Sequence, residues 1–382
     1  MKRVGDGSQA AAIAWLSRTI EPGNRDLWAY VAALGPVEVA AQLHAGDGPS
    51  RLQSAAGERW SEDRSIADLE AAARCGARLV TPGHPEWPDE VADLMGAAVT
   101  AGALQCVPPI GLWVRGPLSL ATSLPRSIAL VGARAATGYG EFVAADLAAG
   151  LVERGVTVVS GGAYGIDGAA HRAALGAGGD TIAVLACGID RVYPSGNAQL
   201  LEQVARDGAL VSEWPPGASA MRSRFLVRNR LIAGFTLGTV VVEAALRSGA
   251  RSTAGRAREV GRVVMTVPGP VTSSSSAGCL QMLRDEGAVA VGSAAHVLEA
   301  VALPGLDLAP QERGADRPRD ELDPSLQMLL DAVPVRRSAA AETIARAAAI
   351  VAADALRGLT ILELMGYVEQ QEGRWRLVTS TS

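Results

Sequence analysis

The sequence predicts an α/β protein built on a Rossmann-like, doubly wound, mostly parallel sheet, with a small helical domain before it and a small helical module with a two-stranded wing after it. Three observations predict this. Apolar β-type runs alternate with helical segments from about Gly111 to Val301. Short helical segments separated by Gly and Pro come first, and a three-helix pattern closed by a hairpin comes last. The implied domains are residues 1–100, 101–302 and 324–382, with a Pro-, Asp- and Arg-rich linker over 303–323.

In the first block, Ala11 to Thr19, Arg25 to Leu34, Val37 to Leu43 and Ser65 to Arg74 carry helical spacing. The turn Leu34-Gly35-Pro36 between two of these helices has two readings, a plain scaffold turn or the turn of a helix-hairpin-helix that holds a DNA backbone (a SAM or helix-hairpin-helix-like domain). In the middle block the strands are expected at Leu112 to Arg115, Ile128 to Gly132, Val156 to Gly161, Thr181 to Ala186, Leu210 to Ser212, Thr239 to Val242 and Val263 to Val267. Between them, helices are expected at Gly140 to Arg154, Asp167 to Ala177, Asn197 to Arg206, Val227 to Ala233, Ala254 to Val260 and Ala277 to Asp285. In the last block Leu326 to Leu330, Ala340 to Ala348 and Ala352 to Met365 read as helices, and Tyr367 to Val378 as a hairpin turning at Gln371, Glu372 and Gly373. That is the outline of a winged helix, but Arg357 is the only cation of its third helix, so protein docking or autoregulation is as good a role for it as DNA contact.

Composition limits the partners. The chain has 382 residues, 48% of them hydrophobic, enough to bury a full core. Its four cysteines, Cys75, Cys106, Cys187 and Cys279, are far apart without CxxC spacing, which supports neither a zinc site nor a disulfide framework and fits free thiols in a reducing cytoplasm. No apolar run is long enough to span a bilayer. The net charge is −5, yet nine arginines face three acids, Glu213, Glu243 and Glu259, between Glu213 and Arg262. Lys2 is the only lysine, so part of this Arg content reflects genome composition; the clustering reflects an anionic partner.

The candidate site is composite. Two Gly-rich turns, VGARAATGYG (Val131 to Gly140) and SGGAYGIDGAAH (Ser160 to His171), each follow a strand and open a helix, where free amides make phosphate seats. Alone, either turn is equally well read as a tight connection. Arg134 adds a bidentate guanidinium to the first. FLVRNR, Phe225 to Arg230, placed where a loop meets the sheet, adds more cations and a ring at the same sheet edge. Such a groove suits several phosphates. GxGxxG and GK[ST] are absent, so NAD and ATP lack their usual signatures and no cofactor is expected. Asp167 and His171 do not make a metal site without a third ligand, and no catalytic set is expected. Glu243 has two readings, a base acting on a mononucleotide or a carboxylate that anchors an arginine.

These motifs, followed by AVLACGIDRVYPSGN, SEW, FLVRNRLIAG, VVVEAALRSGARSTAGRA, VPGPV and GCLQMLRDEGA, resemble in order the DNA-processing protein A (DprA/Smf) family. The resemblance covers about Leu79 to Val301, including HPEWP and WVRG. It implies a non-enzymatic, dimeric protein that binds single-stranded DNA, protects incoming DNA and loads the RecA recombinase in natural transformation. It places Gly132 and Arg134 at the family's first turn, Ser160, Gly161 and Gly162 at its second, and Arg222, Phe225, Arg228, Asn229 and Arg230 at its basic, aromatic and RNR positions. The arginines would bridge phosphates while Phe225 stacks on a base of any identity; the alternative has Phe225 in the core and some arginines paired with Glu213, Glu243 and Glu259. The chain departs from the pattern at Ala133, at Tyr164 where many members have a cation, at Leu226 and at Arg251-Ser252, so Tyr164 is expected at the site as a ring or phenol donor.

Overall fold

The structure is a computed structural model that describes residues 6–100, 106–302, 307–310, 318–335 and 337–378. The chain divides into two compact units, Met1–Ala309 and Pro310–Ser382. Most of the stretch read as a linker, 303–323, lies outside the described residues.

The first unit opens with helices α1 (Asp6–Thr19), α2 (Arg25–Leu34), α3 (Pro36–Ala45), α4 (Ser50–Ala56) and α5 (Ser65–Arg74). The Gly35-Pro36 turn forms because Gly35 takes φ 81°, which a side chain would resist, and Pro36 begins α3, where no N–H is needed. Strand β1 (Ala77–Val80) then joins the main sheet, so residues 1–100, read as helical, also supply an edge strand. Four residues interrupted by an arginine gave no alternation to detect.

The sheet unit continues α6 (Val91–Thr100), β2 (Leu112–Arg115), α7 (Leu120–Ser123), β3 (Ser127–Val131), α8 (Gly138–Val152), β4 (Thr157–Ser160), α9 (Ile166–Gly176), β5 (Thr181–Val184), α10 (Ala198–Asp207), β6 (Ala209–Ser212), α11 (Arg222–Gly234), β7 (Gly238–Val241), α12 (Gly249–Glu259), β8 (Val263–Thr266), α13 (Ala277–Asp285), β9 (Val289–Ala290) and α14 (Ala294–Val301). The strand order is β1-β2-β6-β5-β4-β3-β7-β8-β9, parallel from β6 to β9 and antiparallel at β1 and β2. Alternate β3 residues feed two cores: Ile128 and Leu130 pack with α8 and α9, whereas Ala129 and Val131 pack with α11 and α12. Each fully buried aliphatic side chain in these layers contributes roughly 1.5–3 kcal/mol.

The chain leaves β3 toward β4, β5 and β6 on one side, then returns to place β7 on the other. A crevice opens at the carboxyl ends of β3 and β7, where a doubly wound sheet holds its ligands.

The second unit contains α15 (Pro324–Asp331), β10 (Ala339–Ala340), α16 (Ala341–Ala347), α17 (Ala352–Leu364), β11 (Val368–Gln371) and β12 (Arg374–Leu377), with strand order β10-β12-β11. Its hairpin turns at Glu372 and Gly373, both at positive φ, around buried Trp375. On α17, Arg357 pairs with Asp354 at 2.6 Å.

Candidate functional site

A cleft of about 880 Å³ occupies the crevice. Gly132 and Arg134 enter it from the turn after β3, Arg222, Phe225, Arg228 and Asn229 from α11, Arg247 and Ser248 from the turn between β7 and α12, and Arg251 from the first turn of α12. The FLVRNR segment is the middle of helix α11, not a loop meeting the sheet; α11 begins at Arg222, five residues before the predicted start. Helical geometry then sorts the motif. Arg222, Phe225 and Asn229 share a face, and Arg230 is turned about 100° further round than Asn229.

Arg230 is therefore not a groove residue. Its guanidinium, 1% exposed, holds both carboxylate oxygens of Glu213 at 2.5 and 2.7 Å and donates to the Val107 carbonyl at 2.6 Å. Arg228 lines the cleft but is 4% exposed, donating to the Gly161 carbonyl at 2.9 Å and to that of Val184. Burial lowers it to about 10, opposed by Asp167 and reinforced by Arg134. Arg228 thus contributes field and shape; the exposed cations of the cleft are Arg134, Arg222 and Arg247. None of these three has a carboxylate within ion-pair distance among the described residues. Arg251 is tied to Glu286 at 2.6 Å.

Both predicted phosphate seats hold a carboxylate of the protein itself. Glu243, buried behind the first turn, accepts from the Thr137 backbone N–H at 2.9 Å and its hydroxyl at 2.6 Å, at the start of α8. The arginine-anchoring reading of Glu243 does not hold, since among the described residues its carboxylate takes hydrogen bonds from Thr137 and Ser275 and pairs with no arginine. A side chain at Gly140 would stand 2.3 Å from that carboxylate. Asp167 likewise accepts from the amides of Gly161 at 3.1 Å and Ala163 at 3.3 Å. Burial pushes the Asp167 carboxyl up, against the pull of Arg228 and these amides. In each turn a carboxylate of the protein thus takes amides that lie before the helix, leaving them unavailable to an incoming anion.

The remaining residues of the second turn are structural. Ser160 is buried and donates to the Leu130 carbonyl at 2.6 Å, joining β4 to β3. A Cβ on Gly161 would lie 2.5 Å from Arg228 Nη1, and Gly162 takes φ 70° against Leu201. Tyr164 lies outside the cleft lining, its phenol oxygen accepting from the Gly196 N–H at 3.1 Å. It braces the following loop instead of replacing a cation. His171 is fully buried, its Nδ1 2.7 Å from the Thr181 hydroxyl, and burial lowers it to about 3, so it is a neutral core group turned away from Asp167's partners.

Phe225 is half-buried at the cleft wall, with the Arg134 guanidinium over its ring at 5.0 Å and that of Arg228 at 5.9 Å. The alternative pairing of the arginines holds for Arg230 with Glu213 and for Arg256 with Glu259 at 2.8 Å. Sequence reasoning missed Arg247, Ser248, Arg251 and Tyr193 as lining residues. For Arg247 and Ser248 the signal was positional: the turn after the strand that reverses the winding, β7, lies at the crevice whatever its composition.

A family model described as DNA recombination-mediator protein A matches residues 78–302. A putative DNA processing protein DprA of Mycobacterium tuberculosis H37Rv is 48% identical over 373 residues, covering 97% of this chain and 94% of that protein. DNA processing protein DprA of Streptococcus pneumoniae R6 is 41% identical over 190 residues, 50% of this chain and 66% of that protein. Among solved structures, Streptococcus pneumoniae DprA superposes with TM-score 0.64 and 29% identity, over 77% of this chain and 98% of that one. Helicobacter pylori DprA, described for its single-stranded DNA binding mode, gives TM-score 0.51 and 25% identity over 58% of this chain and 94% of that one.

Proposed function

The chain belongs to the DNA recombination-mediator protein A (DprA/Smf) family, and from that premise we propose that it is a single-stranded DNA-binding recombination mediator that protects incoming DNA and loads RecA in natural transformation. The observation that carries this is the set of exposed guanidiniums of Arg134, Arg222 and Arg247, without a carboxylate partner among the described residues, around Phe225 at the ends of β3 and β7. Side chains spaced along an open cleft neutralise successive phosphates, and an aromatic wall accepts any base, which gives affinity without sequence preference.

The protein acts in this reading without chemistry of its own, in the cytoplasm, as a homodimer joined through the sheet unit and in contact with RecA; these parts rest on the family. The helices before the sheet form its SAM or helix-hairpin-helix-like domain, and α15 to α17 with the β11–β12 hairpin a winged-helix module whose third helix, with Arg357 its only cation, suits protein docking or autoregulation as well as DNA contact. Domain limits of 1–100, 101–302 and 324–382 are part of this proposal, with β1 of the first pairing to β2 of the second.

A titration of single-stranded, duplex and mononucleotide ligands at several salt concentrations tests the proposal. Single strands are expected to bind tightest, with affinity falling as salt rises and mononucleotides competing poorly. Efficient mononucleotide competition with hydrolysis, and no oligonucleotide binding, would favour instead a nucleotide-hydrolysing enzyme on this fold. The hydrogen bonds that occupy Glu243 argue against that outcome.

A further inference from the structure

The geometry points to Tyr193 as a base-stacking platform of the cleft, additional to Phe225. This deepens the single-stranded DNA reading and rests on it. Tyr139, Phe142 and Tyr164 are also exposed, but of these four rings Tyr193 alone lines the cleft. Tyr193 is 47% exposed, lines the cleft and lies 5.6 Å from the Phe225 ring centroid at 51°. Phe225 already carries the Arg134 and Arg228 guanidiniums, so a base reaching it must first displace a cation. Among the described residues no such cation covers Tyr193.

The loop that presents the ring is held on both sides. The Gly188 N–H donates to the Ala218 carbonyl at 2.8 Å, and Asp190 accepts from the Gly217 N–H at 2.7 Å. Beyond the ring, Gly196 donates to the Tyr164 phenol at 3.1 Å, and Asn197 reaches the Gly162 and Ala163 carbonyls at 3.1 and 2.9 Å. Tyr193 is therefore a presented ring on a fixed arm, which lowers the ordering cost of stacking.

The test compares Tyr193→Leu and Tyr193→Phe with the native protein by anisotropy titration of a labelled oligothymidylate and of an abasic oligonucleotide with the same number of phosphates. Tyr193→Leu is expected to weaken oligothymidylate binding roughly 5- to 150-fold, to leave abasic binding and the salt slope unchanged, and Tyr193→Phe to retain native affinity. Equal losses on both oligonucleotides, or none on either, overturn the assignment. If the native protein binds neither oligonucleotide, the single-stranded DNA reading itself fails.

Discussion

Replacing Arg134 with alanine should change the salt dependence of single-stranded DNA binding in a way the structure sets in advance. Three exposed guanidiniums in the cleft, those of Arg134, Arg222 and Arg247, are free of carboxylates among the described residues, while Arg228 is buried against carbonyls and Arg230 is locked to Glu213. With about 0.7 counterions released per neutralised phosphate on a single strand, the native log–log slope is about −2, and a rise from about 50 to about 200 mM salt costs roughly 18-fold in affinity. Arg134→Ala should reduce the slope to about −1.4 and the loss over the same range to roughly 7-fold. The low-salt affinity also falls, but by less than a lone phosphate contact implies, because the variant uncovers the Phe225 face on which the guanidinium now rests. Anisotropy titrations of a labelled single-stranded oligonucleotide at several salt concentrations read both quantities. A slope that stays at the native value in the variant refutes the phosphate role of Arg134. A native slope of about −3.5 would show that Arg228 and Arg230 are engaged and that the sorting of α11 is wrong.

Arg230→Met should leave Glu213 buried without a counter-charge and cost about 3–5 kcal/mol in chemical denaturation, while Arg230→Met with Glu213→Leu recovers most of it; loss of DNA binding by a fully stable Arg230→Met protein would contradict the structure. Glu243→Gln loses charge-assisted bonds to Thr137 and should destabilise by roughly 1.5–3 kcal/mol, with single-stranded DNA affinity of the folded protein unchanged. His171, held near 3 in the folded chain against about 6.5 when unfolded, takes up a proton only in the unfolded state between these values. Stability should therefore fall as pH drops from about 6.5 toward about 3, and His171→Gln should flatten that part of the curve measured by denaturant midpoint.

Periodicity was enough to place the sheet, because buried parallel strands such as Thr181–Val184 are short apolar runs between helices. It failed at β1, whose four residues carry an arginine, and at two-residue β9. The candidate site was legible as a location. Its division of labour was not, since Arg228, Asn229 and Arg230 are neighbours in sequence but successive helical steps send one toward the Gly161 carbonyl, one along the cleft wall and one to Glu213. Nor does a Gly-rich turn reveal what fills it: Glu243 lies 106 residues from Thr137, a pairing only the fold creates.

The two carboxylates that fill the Gly-rich turns also decide how a polymer could be held. With Glu243 seated on the Thr137 amide and Asp167 on those of Gly161 and Ala163, these amides are taken, and the exposed cations of the crevice are the side chains of Arg134, Arg222 and Arg247. A strand gripped this way needs no free end. It can be entered anywhere along its length, shifted by one nucleotide without emptying a fixed seat, and handed on segment by segment while neighbouring nucleotides remain attached.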